Sequence, residues 1–257
     1  MIGVKGVRYR VEVKTPEGLM VFPVTYSAYV RLSSDRRAVH LSRNIEAFLE
    51  SLIEAEMMQP ESLEDLLSST AGRLLEKHDY TEYAVAEIET TYHVSLERIL
   101  EPVDVAMRVE AWRSGKRRWS LSLAITGITA CPHAQINISE KLGTPLDRTP
   151  THMQRALLRA SIVSVEKHVY RIDKLASMLY KAFSAPTRSL LKKDMEADLI
   201  IEAHRNPKLV EDVARDALSI LYNEAKPGSR VCVNVTSMES IHPYNVYAEG
   251  CMEKMEA

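Results

Sequence analysis

The sequence predicts an α+β protein built from two consecutive β-β-α-α-β-β units, and three observations carry that expectation. Apolar residues alternate with polar ones over long runs at both ends of each half. Between those runs the apolar period changes to that of a helix, twice in each half. The same order of elements then repeats after a Gly-Lys-Arg-Arg connection at 115–118.

Residues 7–14 and 20–32 read as two strands around a Pro-Glu-Gly turn at 16–18. Ile45, Phe48, Leu49, Leu52 and Ile53 recur at helical spacing. Leu63, Leu66, Leu67, Leu74 and Leu75 do so again, after Pro60 at a first helical position. Strand character returns at about 81–97 and 102–114, closing the first unit at residues 1–116. In the second unit, residues 117–257, Trp119, Leu121, Leu123 and Ile125 alternate along a strand, and a second strand runs over about 152–166. Ile172, Leu175, Ala176 and Leu179 form a helical stripe. A further helix starts at Asn206-Pro207 and carries Leu209, Val210, Val213, Ala214, Ala217, Leu218 and Leu221. Val231, Val233 and Val235 alternate in a strand, and about 244–253 forms the last. An antiparallel sheet with helices on one face leaves long edge strands, which implies a homo-oligomer built through sheet edges.

The chain's 257 residues are ample for two modules. Charged residues reach 26%, yet the net charge is only −2, so no basic field exists to gather nucleic acid. No apolar run is long enough to span a membrane, and MIGVKGVRYRVEV reads as a first strand, not a signal peptide; a cytoplasmic protein is expected. Three cysteines in such a chain argue against a disulfide framework. Cys232, in a strand pattern, and Cys251 read as structural. Cys131 stands at an element end, where Pro132 stops strand pairing.

Four stretches of the second unit concentrate chelating groups at element ends. They are Cys131-Pro-His133, Thr151-His152-Met-Gln154-Arg155, Lys192-Lys193-Asp194-Met-Glu196 and Glu239-Ser-Ile-His242-Pro243. None has the close spacing of a zinc motif, and each alone reads as a solvated or rim group. Together, a thiol, imidazoles and carboxylates form a mixed S/N/O set suited to Zn²⁺, Fe²⁺ or Mn²⁺ with an open position for water. Glu239 and His242 are three apart and would face opposite ways on a straight strand, so a bend at Pro243 is needed to aim both at one cleft.

These words, in this order, resemble the type IB GTP cyclohydrolases, and look most like their archaeal branch. The matching stretches are GVKGVRY at 3–9, VHLSR at 39–43, TACPHAQ at 129–135, THMQR at 151–155, the long run SAPTRSLLKKDMEADLIIEAHRNPKLVEDVARD at 184–216, and MESIHPYNVYAE at 238–249. The resemblance implies the tunnelling fold, with two β-β-α-α-β-β units per chain and a homotetramer whose active sites lie between subunits. It places metal ligands on Cys131, His152, Glu196 and His242, with Glu239 as an alternative ligand or an acid–base. It places the purine-holding carboxylate on Glu211, since guanine presents N1–H and a 2-amino group as paired donors. Catalytic roles fall on Cys131, His133, Glu239 and His242. Gln154 joins the candidates for holding substrate, and Arg43, Arg155, Lys192 and Lys193 are those for phosphate.

The implied reaction is metal-dependent hydrolysis of GTP at C8, with Fe²⁺ foremost and Zn²⁺ or Mn²⁺ as alternatives. It releases formate and forms a 7,8-dihydroneopterin phosphate, the 2′,3′-cyclic phosphate in the archaeal branch and the triphosphate in the bacterial type. The chain departs from the family pattern at His133, where the family has a second Cys, and at Met153, where it has Asn. Those departures motivate a rival reading, a purine- or pterin-binding protein of the same fold that has lost turnover. Another tunnelling-fold enzyme, or a structural metalloprotein with a closed four-ligand site, are the remaining alternatives.

Overall fold

The computed structural model describes residues 1–15, 18–34, 37–58 and 62–255. In chain order these form β1 (Ile2–Thr15), β2 (Gly18–Val30), α1 (Ser42–Met58), α2 (Leu63–Lys77), β3 (Tyr83–Leu96), β4 (Ile99–Trp112), β5 (Arg117–Ala130), α3 (Pro132–Leu142), β6 (Met153–Ser164), α4 (Ile172–Tyr180), β7 (Ala185–Pro186), α5 (Lys193–Arg205), α6 (Val210–Glu224), β8 (Arg230–Ser237) and β9 (Val246–Glu253). The expected turn at Pro16-Glu17 and the helix-starting role of Pro60 lie outside the described residues. The chain divides into two compact units: residues 1–91, 104–122 and 163–169, and residues 92–103, 123–162 and 170–257.

In the first unit the strands follow the order β1-β2-β3-β4. β1 pairs antiparallel with β2 from Ile2↔Val30 to Thr15↔Gly18, with a register shift between Val4 and Val7. The core forms where α1 lays Phe48 on Tyr26, their rings stacked with centroids 4.0 Å apart. Burial holds the Tyr26 phenol far above its usual titration range. Of the apolar stripe expected on α1, Phe48 is fully buried, whereas Leu49 and Ile53 are exposed. Asn44 and Ser51 fill the inner face instead, bonded to Ala28 O and Ala47 O. Ser62 caps α2 by accepting a bond from Asp65 N.

In the second unit the order is β5-β6-β8-β9, with β7 on the other side of β5. Leu158 of β6, Leu179 of α4, Leu221 of α6 and Val231 of β8 are all buried in its core. Gly127 of β5 lets the Phe183 ring approach so closely that an added Cβ would lie 2.2 Å from it. The β-β-α-α-β-β frame is present, but it carries α3, β7 and α5 as well. Pro132 therefore does more than end a strand: it is the first residue of α3, with Cys131 as its N-cap and Gly143 closing it in the left-handed conformation. The helix expected from Asn206 begins instead at Val210, because Asn206 ends α5 and donates to Phe183 O and Ser184 O.

The expectation for the cysteines is overturned as well. Cys232 and Cys251 form a disulfide. They stand directly opposite each other in the β8–β9 register, a neighbourhood that 19 residues of sequence separation conceal. Cys131 is the one free cysteine.

Candidate active site

Three strand ends meet at one rim of the second unit. Cys131 N donates to His152 O, and Met238 N donates to Arg155 O. These bonds bring together the residue after β5, the residue before β6 and the residues after β8. Each end contributes a pair two residues apart, so that both members share one face of the sheet. The pairs are Thr129 and Cys131, His152 and Gln154, Ser237 and Glu239.

Five of these side chains form one network, and Cys131 joins it through its backbone bond to His152. His152 Nδ1 lies 2.9 Å from Gln154 Oε1. Gln154 Nε2 donates to Thr129 Oγ1 at 3.1 Å and to Glu239 Oε1 at 3.3 Å. Ser237 Oγ donates to Glu239 Oε1 at 2.8 Å and lies 3.1 Å from Thr129 Oγ. Ser240 Oγ adds a longer contact to Gln154 Oε1 at 3.4 Å. Thr129 and Ser237 are each 1% exposed. The side chains of His152 and Glu239, at 15% and 9%, lie nearer the surface. Glu239 Oε2 stands 3.9 Å from His152 Nδ1, outside the donors that hold Oε1.

Neighbouring helices fix the approach to this rim. Cys131 Sγ accepts from Ala134 N at the start of α3, and Thr151 Oγ1 donates to Cys131 O at 2.6 Å. Gln135, buried in α3, donates to Thr149 O and His204 O. Leu199 and Ala203 of α5 pack on Ile128 and Ala185, with Met153 against them. The segment leading into α5 is held by the buried Glu101 carboxylate, which accepts from Ser189 N and Oγ. Burial beside that carboxylate pushes the Tyr180 phenol up to about 12.

His152, Gln154 and Glu239 are thus joined through their side chains, and Cys131 adjoins them through its backbone. The other candidates lie elsewhere on the elements. His133 is exposed in the first turn of α3, and Glu196 is exposed in the first turn of α5, just after the exposed Lys192 and Lys193. His242 is exposed beyond β8 and stacks on Tyr244, ring centroids 5.0 Å apart. Glu211 sits half-buried in the first turn of α6, and Arg155 is exposed on β6. Arg43 belongs to the first unit, where it donates to Lys77 O. Among the described residues no group of three or more His, Cys, Asp or Glu side chains is gathered closely enough to hold a metal ion.

The donor chemistry at the rim nonetheless suits a divalent ion. A free thiol, an imidazole and a carboxylate stand on adjacent strand ends, and the imidazole is already bonded through its other nitrogen, as metal-binding histidines are. Sequence reasoning did not pick out Thr129, Ser237 or Ser240. The readable signal was the polar pair at each strand end, Thr-x-Cys and Ser-x-Glu matching His-x-Gln.

Comparison with known proteins follows the same outline. The family model described as "Type I GTP cyclohydrolase folE2" matches residues 1–248. A protein named GTP cyclohydrolase MptA from Aeropyrum pernix is 41% identical over 254 residues, covering 96% of this chain and 88% of that one. Proteins of the same name from Methanosphaera stadtmanae and Pyrococcus abyssi are each 30% identical, covering 96% and 97% of this chain and 88% and 92% of theirs. Among solved structures, the uricase from Arthrobacter globiformis superposes with a TM-score of 0.60 at 11% identity, covering 100% of this chain and 94% of its own. At that identity the likeness is one of fold alone: the tunnelling fold, an antiparallel α+β architecture of tandem β-β-α-α-β-β units.

Proposed function

The chain belongs to the type I GTP cyclohydrolase family, and we propose that it opens the imidazole ring of GTP at C8. It releases that carbon as formate and forms a 7,8-dihydroneopterin phosphate at the entry to pterin biosynthesis, as a cytoplasmic enzyme. The observation that carries this reading is the rim where Cys131, His152 and Glu239 meet on three strand ends, in a chain that matches the family over nearly its whole length.

The chain's own groups divide the work. Glu211 accepts guanine N1–H and the 2-amino group, a pairing that only a carboxylate satisfies with two parallel bonds. Glu239 has Oε1 tied by Ser237 and Gln154, so Oε2 is the atom that takes a proton from the incoming water and returns it to the departing ring nitrogen. Cys131 Sγ and His152 Nε2 would hold the metal at the rim, with Glu196 and His242 as further donors. A divalent ion held there, Fe²⁺ foremost and Zn²⁺ or Mn²⁺ as alternatives, would lower the pKa of water to roughly 7. Arg43, Arg155, Lys192 and Lys193 are the phosphate-binding candidates, and His133 is a proton carrier at the start of α3. The archaeal resemblance favours the 2′,3′-cyclic phosphate over the triphosphate as product. β9 closes the strand order of the second unit with Tyr247 and Met252 exposed, which supports assembly through that edge into a homotetramer.

Anaerobic incubation of the full chain with GTP and each of Fe²⁺, Zn²⁺ and Mn²⁺ tests the reading. Formate and a pterin that fluoresces after oxidation are expected together. The scattered positions of Glu196 and His242 favour one rival, a nucleotide-binding protein without turnover. It predicts GTP binding with no formate under all three metals, and that result would overturn the proposal.

A further inference from the structure

Gln154 was expected to touch substrate, yet its side-chain amide is spent entirely on protein groups. The carboxylate of Glu239 sets the order of donors in that network. Glu239 Oε1 is a carboxylate oxygen and only accepts, so the Gln154 atom bonded to it must be the NH₂ group. That assignment turns Gln154 Oε1 toward His152. Oε1 also only accepts, so the proton of the imidazole must sit on Nδ1. Nε2 then carries the lone pair, and among the described residues the imidazole's hydrogen-bond contacts are both at Nδ1, to Gln154 Oε1 at 2.9 Å and, at a longer 3.5 Å, to Ser240 Oγ. Ser237 gives its one proton to Glu239, so Thr129 donates to Ser237 and accepts from Gln154. Every proton in the chain Thr129–Ser237–Glu239–Gln154–His152 is therefore fixed by the carboxylate at its centre.

We propose that Gln154 is a positioning residue that locks His152 in the Nδ1–H tautomer and so presents Nε2 as a ready metal donor, with the Glu239 carboxylate setting the orientation of the Gln154 amide. A metal-binding imidazole must offer a bare nitrogen, and the bond at its other nitrogen selects which one. A glutamine does this without bringing a second negative charge beside Glu239. The proposal rests on His152 being a metal donor in the reading above, but its first test needs neither metal nor turnover.

The ring nitrogens of His152 in the metal-free full-length protein are observed by ¹⁵N NMR, at about pH 8 where a free imidazole is neutral. They are assigned by difference from His152→Asn. A protonated Nδ1 with an unprotonated Nε2 is expected, and an Nε2–H form in the wild type would overturn the proposal outright. In Gln154→Leu the single tautomer should be lost and Zn²⁺ affinity should fall roughly 10–100-fold, the scale on which outer partners of metal ligands act. Thr129→Val keeps the Gln154–His152 bond and should retain the tautomer. If Gln154→Leu folds, keeps Nδ1–H and binds Zn²⁺ like the wild type, the role is disproved. If it does not fold, the wild-type spectrum decides. Absence of formate from GTP in a protein that shows the expected tautomer would reject the assigned reaction and leave the role of Gln154 standing.

Discussion

Two histidines, one in each unit, differ in how many of their ring nitrogens the fold occupies. His78 in the first unit is 0% exposed, and both ring nitrogens are bonded. Asn44 gives its NH₂ group to Ala28 O, so its Oδ1 faces His78 and takes the Nε2 proton. Nδ1 then accepts from the Tyr80 hydroxyl. His152 in the second unit holds the opposite tautomer, with Nδ1–H spent on Gln154 and Nε2 uncommitted. The sequence shows two histidines in polar surroundings; the count of satisfied nitrogens sets them apart. A closed account marks a group that the fold uses for itself, and an open one marks a group available to a ligand.

The largest effects should fall on opposite measurements in the two units. Glu239→Gln keeps the shape of the rim network but removes its carboxylate, and formate release should drop by roughly 10²–10⁴-fold, the range for a lost acid–base group. Its denaturation midpoint in urea should move little. His78→Ala should behave in the reverse way. It removes the buried partner of Asn44 Oδ1, at a cost of about 2–4 kcal/mol in unfolding free energy. The rate per folded molecule should hold. A Glu239→Gln protein that turned GTP over at the wild-type rate would erase the distinction.

A second contrast is covalent. All three cysteines lie in the second unit, and one pair ties β8 to β9. Replacing Cys232 and Cys251 together with Ser should lower unfolding free energy by about 2–4 kcal/mol, as expected for a short closed loop. Hydrogen exchange should show the loss in the β8–β9 amides while the amides around Asn44 and His78 stay protected. Equal loss of protection in both units would show that they unfold together, and the regional comparison would fail.

Much of this was legible in the residues. All eight long strands stand where alternation puts them, because half-buried strands write their burial into the sequence at every second position. The helices α3 and α5 left a weaker mark. α3 buries only Gln135, and α5 only Leu199 and Ala203, so neither carries an apolar stripe to read. Cys131, His152 and Glu239 were identified by resemblance and by their place at strand ends. Thr129 and Ser237, which bond to Gln154 and Glu239, were not, since a hydroxyl inside a strand pattern carries no chemical signature until the neighbouring strand is known.

The smallest expected effect tests the closed account of His78 directly. Burial holds its conjugate acid below the ordinary imidazole value, with the Arg43 guanidinium acting in the same direction. Folded protein therefore binds fewer protons there than unfolded protein, whose imidazole titrates near about 6.5. The associated stability is complete above that pH and is lost as pH falls from it toward the lower folded-state value. The slope can reach about 1.4 kcal/mol per pH unit for one proton. Urea titrations of the wild type between about pH 7.5 and 5.5 should show this decline. His78→Ala, already less stable at pH 7.5, should lose one proton's worth of that slope. If the two slopes matched, His78 would be taking up its proton in the folded protein, and the neutral, doubly satisfied imidazole assigned to the first unit would be wrong.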